Sequence, residues 1–297
     1  MQIFIMNDHK SVFINPLTDF GFKYIFGEEA NKKFIISFLN SLMTDGKEIE
    51  DVEFVDKENV SESISGRVLI YDLHCKTTDG EKIIVEMQNR TQAYFDDRAL
   101  FYLAGDIYHQ GRKGKNWNYR LTPVYGVFLM NFEWKEDMVQ ELREDVGLMN
   151  LRTLRMFSNK LRMTFLKIPM MMKTPEECIT TLDCWLYLFK NMENMDAMPK
   201  AFMNDPVFRD LNDVAQVAAL PQKKRRNYER SLKAYRDMYA IMETERADGI
   251  AEGLQKGREE GREEGRKELA RALKNLGADL SMIAKASGLT IDQIKSL

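Results

Sequence analysis

The chain has 297 residues, 44% hydrophobic and 30% charged, which suits a core domain with a smaller second region and excludes a disordered tail. Lys and Arg total 43 against 46 Asp and Glu, a net charge of −3, so a wholesale basic, histone-like binder is excluded and any nucleic acid must meet a local basic surface. Cys75, Cys178 and Cys184 are too few and too unevenly spaced for a disulfide framework or a four-ligand zinc site. No uninterrupted apolar run approaches the length of about 18 residues that a membrane span needs, so the expectation is a cytoplasmic protein with no membrane partner.

Over 15–43 apolar residues recur at helical spacing, with Phe22, Ile25 and Phe26 on one turn and Phe34, Phe38, Leu39 and Leu42 beyond, which predicts two helices divided near Gly27. Over 52–88 the pattern changes to short alternating or β-branched runs broken at 61–66 and at Thr78-Asp79-Gly80, which predicts three strands. A helical period returns over 94–110, followed by a continuous apolar strand over 123–132 and a further strand over 161–168. Helices laid on a strand-rich core imply an α/β or α+β layer architecture, with α/β the expected class, rather than a bundle or a sandwich. Beyond 168, prolines punctuate mainly helical segments running to Glu245. Gly249, Gly253, Gly257, Gly261 and Gly265 then recur among Arg, Glu and Lys, as a flexible charged linker or as a helix stabilised by self-association. A small helical hairpin around Gly288 ends the chain.

The stretch 68–89 is the most informative, because a hairpin fixes which side chains share a face. Thr78-Asp79-Gly80 suits a three-residue loop with Gly80 in the left-handed region, which pairs Thr77 with Glu81. Counting outward, Asp72 lies opposite Glu86, His74 opposite Ile84 and Ile70 opposite Gln88, all on one polar face. Tyr71, Leu73, Cys75, Ile83, Val85 and Met87 form the other, which is expected to be the core face. Two carboxylates with Cβ atoms about 5 Å apart repel unless a cation or shared proton offsets them. A hard divalent ion such as Mg²⁺ fits such a pair, and two solvated acids on an exposed sheet face fit the same spacing.

Further along, Arg98 and Tyr102 sit one helical turn apart, suited either to a phosphate and a base or to surface packing of Arg on Tyr. Arg112, Lys113, Lys115 and Arg120, with Trp117 and Tyr119 and no acid among them, suit a phosphate backbone with stacked bases, or a solvated loop. A second basic stretch, 223–226, falls in a predicted helix. His74 shares the polar face without an assigned role.

Asp72 followed by Glu86-Met87-Gln88 on the next strand resembles the active-site motif of the PD-(D/E)XK nuclease superfamily, with Gln88 where many members carry Lys. The run Asn15-Pro-Leu-Thr-Asp-Phe-Gly-Phe-Lys-Tyr-Ile-Phe-Gly27, the segment from Arg98 to Tyr102, Pro123-Val124 and the Gly/Arg/Glu-rich tail resemble its Rpn branch of recombination-promoting nucleases and transposases. The resemblance implies a restriction-endonuclease-like core, a mixed central sheet flanked by helices, with Mg²⁺- or Mn²⁺-dependent cleavage of a DNA phosphodiester linked to recombination or transposition. It implies Asp72 and Glu86 as metal ligands, the Met87 carbonyl as a third, and Gln88 as an amide that orients water or contacts phosphate without a lysine's charge. It brings Asp19 toward the site behind the ligands, where an ordinary helix-start carboxylate is the alternative, and Lys23 is open in the same way. On this basis the expected organisation is a nuclease core over 15–168, a helical region over 169–247 and a charged segment over 248–297 that mediates homo-oligomerisation. The rival expectation is a weak or inactive DNA- or protein-binding module that keeps the fold.

Overall fold

The computed structural model describes residues 11–43, 46–55, 72–111, 118–132 and 141–297. Asn15 begins a tight turn in which its Oδ1 accepts from the Leu17 N–H at 2.8 Å. The Thr18 hydroxyl then caps helix α1 (Asp19–Phe26) by accepting from the Gly21 N–H at 3.0 Å, beside Asp19 in the first turn. Helix α1 stops at Gly27, and α2 (Lys32–Leu42) buries Phe34, Ile35, Phe38, Leu39 and Leu42, so the two helices divide at the expected glycine.

Six strands follow in one sheet: β1 (Val52–Phe54), β2 (Leu73–Thr77), β3 (Lys82–Gln88), β4 (Val124–Met130), β5 (Arg143–Asn150) and β6 (Arg155–Lys167). Their spatial order is β1-β2-β3-β4-β6-β5, with β1, β2 and β3 antiparallel, β3, β4 and β6 parallel, and β5 antiparallel at the edge. The parallel step from β3 to β4 needs a crossover, supplied by helix α3 (Phe95–Tyr108). This helix packs Phe95, Ala99 and Leu103 against Ile84, Val124 and Phe128. At Gly126 a Cβ would stand 2.8 Å from Leu103 Cδ1 and 2.6 Å from Phe128 Cε2, so the bare backbone lets α3 lie close to the sheet.

That crossover removes one alternative, that of an exposed sheet face. The alternation of residues along β2 and β3 is as expected, but the polar face is not open to water: Glu86 is 3% exposed, His74 6% and Gln88 8%. The strands at the centre of this mixed sheet are covered on both sides because a parallel connection lays its helix over one face. The other face carries Leu73, Cys75, Ile83 and Val85, all buried, with Gly27 at the end of α1 against the Leu73 side chain. Burial pushes the Cys75 thiol up to about 12, so it is an inert core group rather than a nucleophile. Strand β5 was not legible in the sequence, and the strand expected over 161–168 proves to be the inner half of the longer β6.

By contact the chain divides into two compact units, 1–232 and 233–297. Within the first, helices α4 (Thr181–Asn191) and α5 (Pro206–Val214) join α1 and α2 in an aromatic cluster. Phe26 meets Trp185 at 5.4 Å between ring centroids, and Trp185 meets Phe208 at 5.0 Å. The start of the long helix α6 (Gln222–Asn275) belongs here too: the Tyr228 hydroxyl accepts from the Asn15 N–H at 2.9 Å, and Lys224 pairs with Glu28 at 2.7 Å. The basic stretch 223–226 is therefore partly spent on packing.

In the second unit, the remainder of α6 carries α7 (Leu280–Ser287) and α8 (Ile291–Ser296) around a small core of Ala270, Ile283, Leu289 and Ile294. Arg266 Nε donates to the Ser287 carbonyl at 2.6 Å, and Lys274 Nζ to that of Ile294 at 3.2 Å, tying the expected helical hairpin down. The five-glycine repeat lies within α6, and a Cβ on any of its glycines would meet open space within 4 Å. Among the described residues no helix is long and apolar enough to cross a membrane.

Candidate active site

The β2–β3 loop decides which side chains meet. Gly80 stands at φ +80°, its N–H donates to the Thr77 carbonyl at 2.8 Å, and the Thr77 N–H donates to the Glu81 carbonyl at 2.9 Å. This closes a three-residue loop with its left-handed position on glycine. The resulting register pairs Leu73 with Val85, His74 with Ile84 and Cys75 with Ile83. Asp72 stands one position before Leu73, at the entry to β2, and Glu86 one position after Val85 on β3.

Asp72 also acts on β3 directly. Its Oδ2 accepts from the buried Met87 N–H at 2.9 Å, taking the place a main-chain carbonyl would hold if β2 continued. In a strand a residue's own N–H and C=O point to the same edge, so the Met87 carbonyl also faces the Asp72 side. The neighbouring groups point the other way, and the Gln88 carbonyl accepts from the Asn131 N–H at 2.8 Å at the end of β4.

Helix α3 supplies the cation beside Glu86. Arg98 Nη2 approaches Glu86 Oε2 at 3.6 Å, Nε donates to the Tyr102 hydroxyl at 3.0 Å, and Nη1 donates to Gln92 Oε1 at 2.7 Å. The guanidinium also stands over the Tyr102 ring, 5.0 Å from its centroid. Burial pushes the Tyr102 hydroxyl above its usual range, with Glu86 and Asp72 adding to the effect and Arg98 opposing it. The tyrosine therefore senses both carboxylates and remains a neutral donor at pH 7. Arg98 thus packs on Tyr102, as the packing alternative has it, and its guanidinium also lies beside Glu86.

Asp19 and Lys23 pair with each other on the exposed side of α1. Arg112, Lys113 and Lys115 lie outside the described residues, as do Ile70 and Tyr71 of the expected hairpin. Among the described residues no group of three His, Cys, Asp or Glu side chains gathers at metal-binding distance.

A profile of the family described as PD-(D/E)XK nuclease family transposase matches residues 16–245. The chain belongs to this family. No curated protein and no solved structure gives a significant match. The family carries a nuclease-like fold, and the mixed sheet with its flanking helices agrees with it.

Two features of this PD-(D/E)XK family member were not singled out from the sequence. Asn89 Nδ2 donates to the Leu17 carbonyl at 2.7 Å, and Asn131 Nδ2 donates to Asn89 Oδ1 at 3.1 Å, which latches the ends of β3 and β4 to the turn before α1. The only available signal was a polar residue at the exit of an otherwise buried strand. His74 is the second: its Nε2 lies 3.1 Å from Asp106 Oδ2, and Lys82 Nζ donates to Asp106 Oδ1 at 2.7 Å, joining β2, β3 and α3. Burial raises the Asp106 pKa, but His74 and Lys82 outweigh it and hold the carboxyl below its usual range.

Proposed function

We propose that this protein is a Mg²⁺-dependent endonuclease that hydrolyses DNA phosphodiester bonds in recombination or transposition. The observation that carries the reading is the Asp72 carboxylate bound to the Met87 N–H, next to Glu86 in β3, with Arg98 at 3.6 Å from Glu86. The donor set fits a hard cation: two carboxylates and the Met87 carbonyl are all oxygen ligands, and Glu86 is a buried charge that a cation would offset. When bound, the ion would supply activated water and neutralise charge at phosphorus.

The chain's own residues do the rest. Asp72 holds the end of β3 through the Met87 N–H and, on this reading, is also a ligand of the ion. Arg98, fixed by Tyr102 and Gln92, presents a guanidinium suited to a phosphate oxygen. Gln88, on the same face as Glu86, orients the attacking water through its amide or contacts the phosphate. Arg112, Lys113 and Lys115 extend the grip along the backbone, and the C-terminal segment mediates self-association.

Cleavage of supercoiled and linear DNA with Mg²⁺, Mn²⁺ or EDTA tests the reading, beside Asp72→Ala, Glu86→Ala and Gln88→Lys. Metal-dependent nicking lost in both alanine variants is the expected result, with Gln88→Lys reporting the effect of one added charge. Gln88 itself favours a second reading, a binding module that keeps the fold without turnover, because an amide lacks the lysine's charge. Wild type that binds DNA but cuts no form of it with either ion would select that reading.

A further inference from the structure

Strands β5 and β6 run beyond the sheet. Pairing between β4 and β6 covers only Leu161 to Lys167, whereas β6 begins at Arg155 and continues its pairing with β5 out to Asn150. The outer half is thus a two-stranded ribbon with no third strand beside it among the described residues.

Its tip is built to hold apolar groups in water. Asn150 Oδ1 accepts from the Arg152 and Thr153 N–H groups, each at 3.0 Å, and the Leu154 N–H donates to the Asn150 carbonyl at 2.8 Å. Leu154 itself is forced to φ +53°, a conformation that costs a branched residue roughly 1 kcal/mol or more. Leu151 is 89% exposed, Leu154 72% and Phe157 78%. The cations Arg152, Arg155 and Lys160 are interleaved with them, and no Asp or Glu occurs between Asp145 and Pro169.

We infer that this ribbon is a second DNA contact, which lays its cations on duplex phosphates and its apolar tip against the groove. The inference rests on the reading of DNA as the substrate. Charge selects a polyanion over a second copy of this chain: a symmetric contact would bring Arg152 and Arg155 against their own equivalents with no acid to offset them. Apolar side chains flanked by Arg on a β-ribbon match the chemistry of groove binding with partial unstacking.

The distance fits as well. Phe165 is level with Glu86 through Phe128, and Arg155 starts the same strand ten positions earlier. At about 3.3 Å per residue the ribbon reaches about 33 Å along the strand direction. That is close to one turn of B-form duplex, about 34 Å, so the tip would meet the same side of the helix as the carboxylate pair.

Gel-shift titrations with a duplex of about 40 base pairs and one of about 8, too short at about 27 Å to span both contacts, in Mg²⁺ and in EDTA, test this on wild type, Arg152→Glu/Arg155→Glu and Phe157→Ser. All three positions are exposed, and circular dichroism with thermal melts checks that the variants stay folded. The charge-reversed protein should bind the long duplex at least about 10-fold more weakly, and its plot of log Kobs against log salt should be shallower by about 2. Binding of the short duplex and cutting at the carboxylate pair should be unchanged. Equal affinity of wild type and variants for the long duplex would overturn the ribbon inference while leaving the nuclease reading intact. Wild type that neither binds nor cuts duplex would overturn both. A dimer in sedimentation that dissociates in Phe157→Ser with DNA affinity preserved would make the ribbon a self-association surface instead.

Discussion

Asp72 carries two separable tasks, and paired substitutions can divide them. Its Oδ2 accepts from the buried Met87 N–H at 2.9 Å, and on the proposed reading its charge holds the metal ion together with Glu86. Asp72→Asn keeps an acceptor oxygen and discards the charge; Asp72→Ala discards both and leaves a buried N–H without its acceptor. An orphaned buried donor costs about 1 to 3 kcal/mol, so in EDTA Asp72→Ala should be less stable than Asp72→Asn by about that amount. At about 2 to 4 °C per kcal/mol for a domain of this size, the gap should be several degrees in Tm. Wild type with Mg²⁺ at about 100 times its Kd should gain about 2.7 kcal/mol, and both variants should lose most of this gain. Thermal or denaturant unfolding in EDTA and in Mg²⁺ reads both effects on one instrument. Equal stability of the two variants in EDTA would refute the role given to the Met87 bond, and a full Mg²⁺ gain in Asp72→Asn would refute the role given to the charge.

Three other outcomes follow from the same geometry. Arg98→Met, which loses its contacts to Glu86, Tyr102 and Gln92 while keeping most of its packing volume, should lower kcat/KM for DNA cleavage by at least about 10-fold, a transition-state loss of about 1.4 kcal/mol. Arg98→Lys should recover little, because a point charge cannot reproduce the planar fork. Asp106→Asn, which weakens the tie to His74 and Lys82, should cost about 3 kcal/mol at neutral pH. Because the folded Asp106 pKa is depressed, its stabilisation is present above the unfolded value of about 3.9 and is lost as pH falls through the lower folded value; urea unfolding should show the wild-type advantage shrinking below about pH 4. Gly80→Ala, forced to φ +80°, should cost about 1 kcal/mol in the same assay without moving the Leu73–Val85 register seen by amide exchange or NMR.

Local chemistry made much of this protein legible from sequence alone. Thr18, Gly27 and the apolar period wrote two helices, and Thr78-Asp79-Gly80 wrote a hairpin with the register that pairs Leu73 with Val85, His74 with Ile84 and Cys75 with Ile83. Those signals act over a few residues and depend on backbone sterics and side-chain period, so they survive without knowledge of the rest of the chain. The resemblance in the same segments named the family that the profile over 16–245 supports.

What surrounded the pair was decided only by the tertiary structure. Period-2 alternation separates two faces but carries no information about what covers each, and the α3 crossover buried the face that read as polar. It also brought Arg98 and Tyr102 over Glu86, a contact between residues that share no local pattern. Strand β5 has no apolar alternation to announce it because it lies at a sheet edge and, among the described residues, pairs only with β6, and its identity as a strand is conferred by that partner. The Asn89 and Asn131 latch and the His74, Asp106 and Lys82 cluster are likewise long-range closures. Propensity and period thus fixed the pieces and the carboxylate register, while burial and charge around them depended on which distant elements the fold brought against that hairpin.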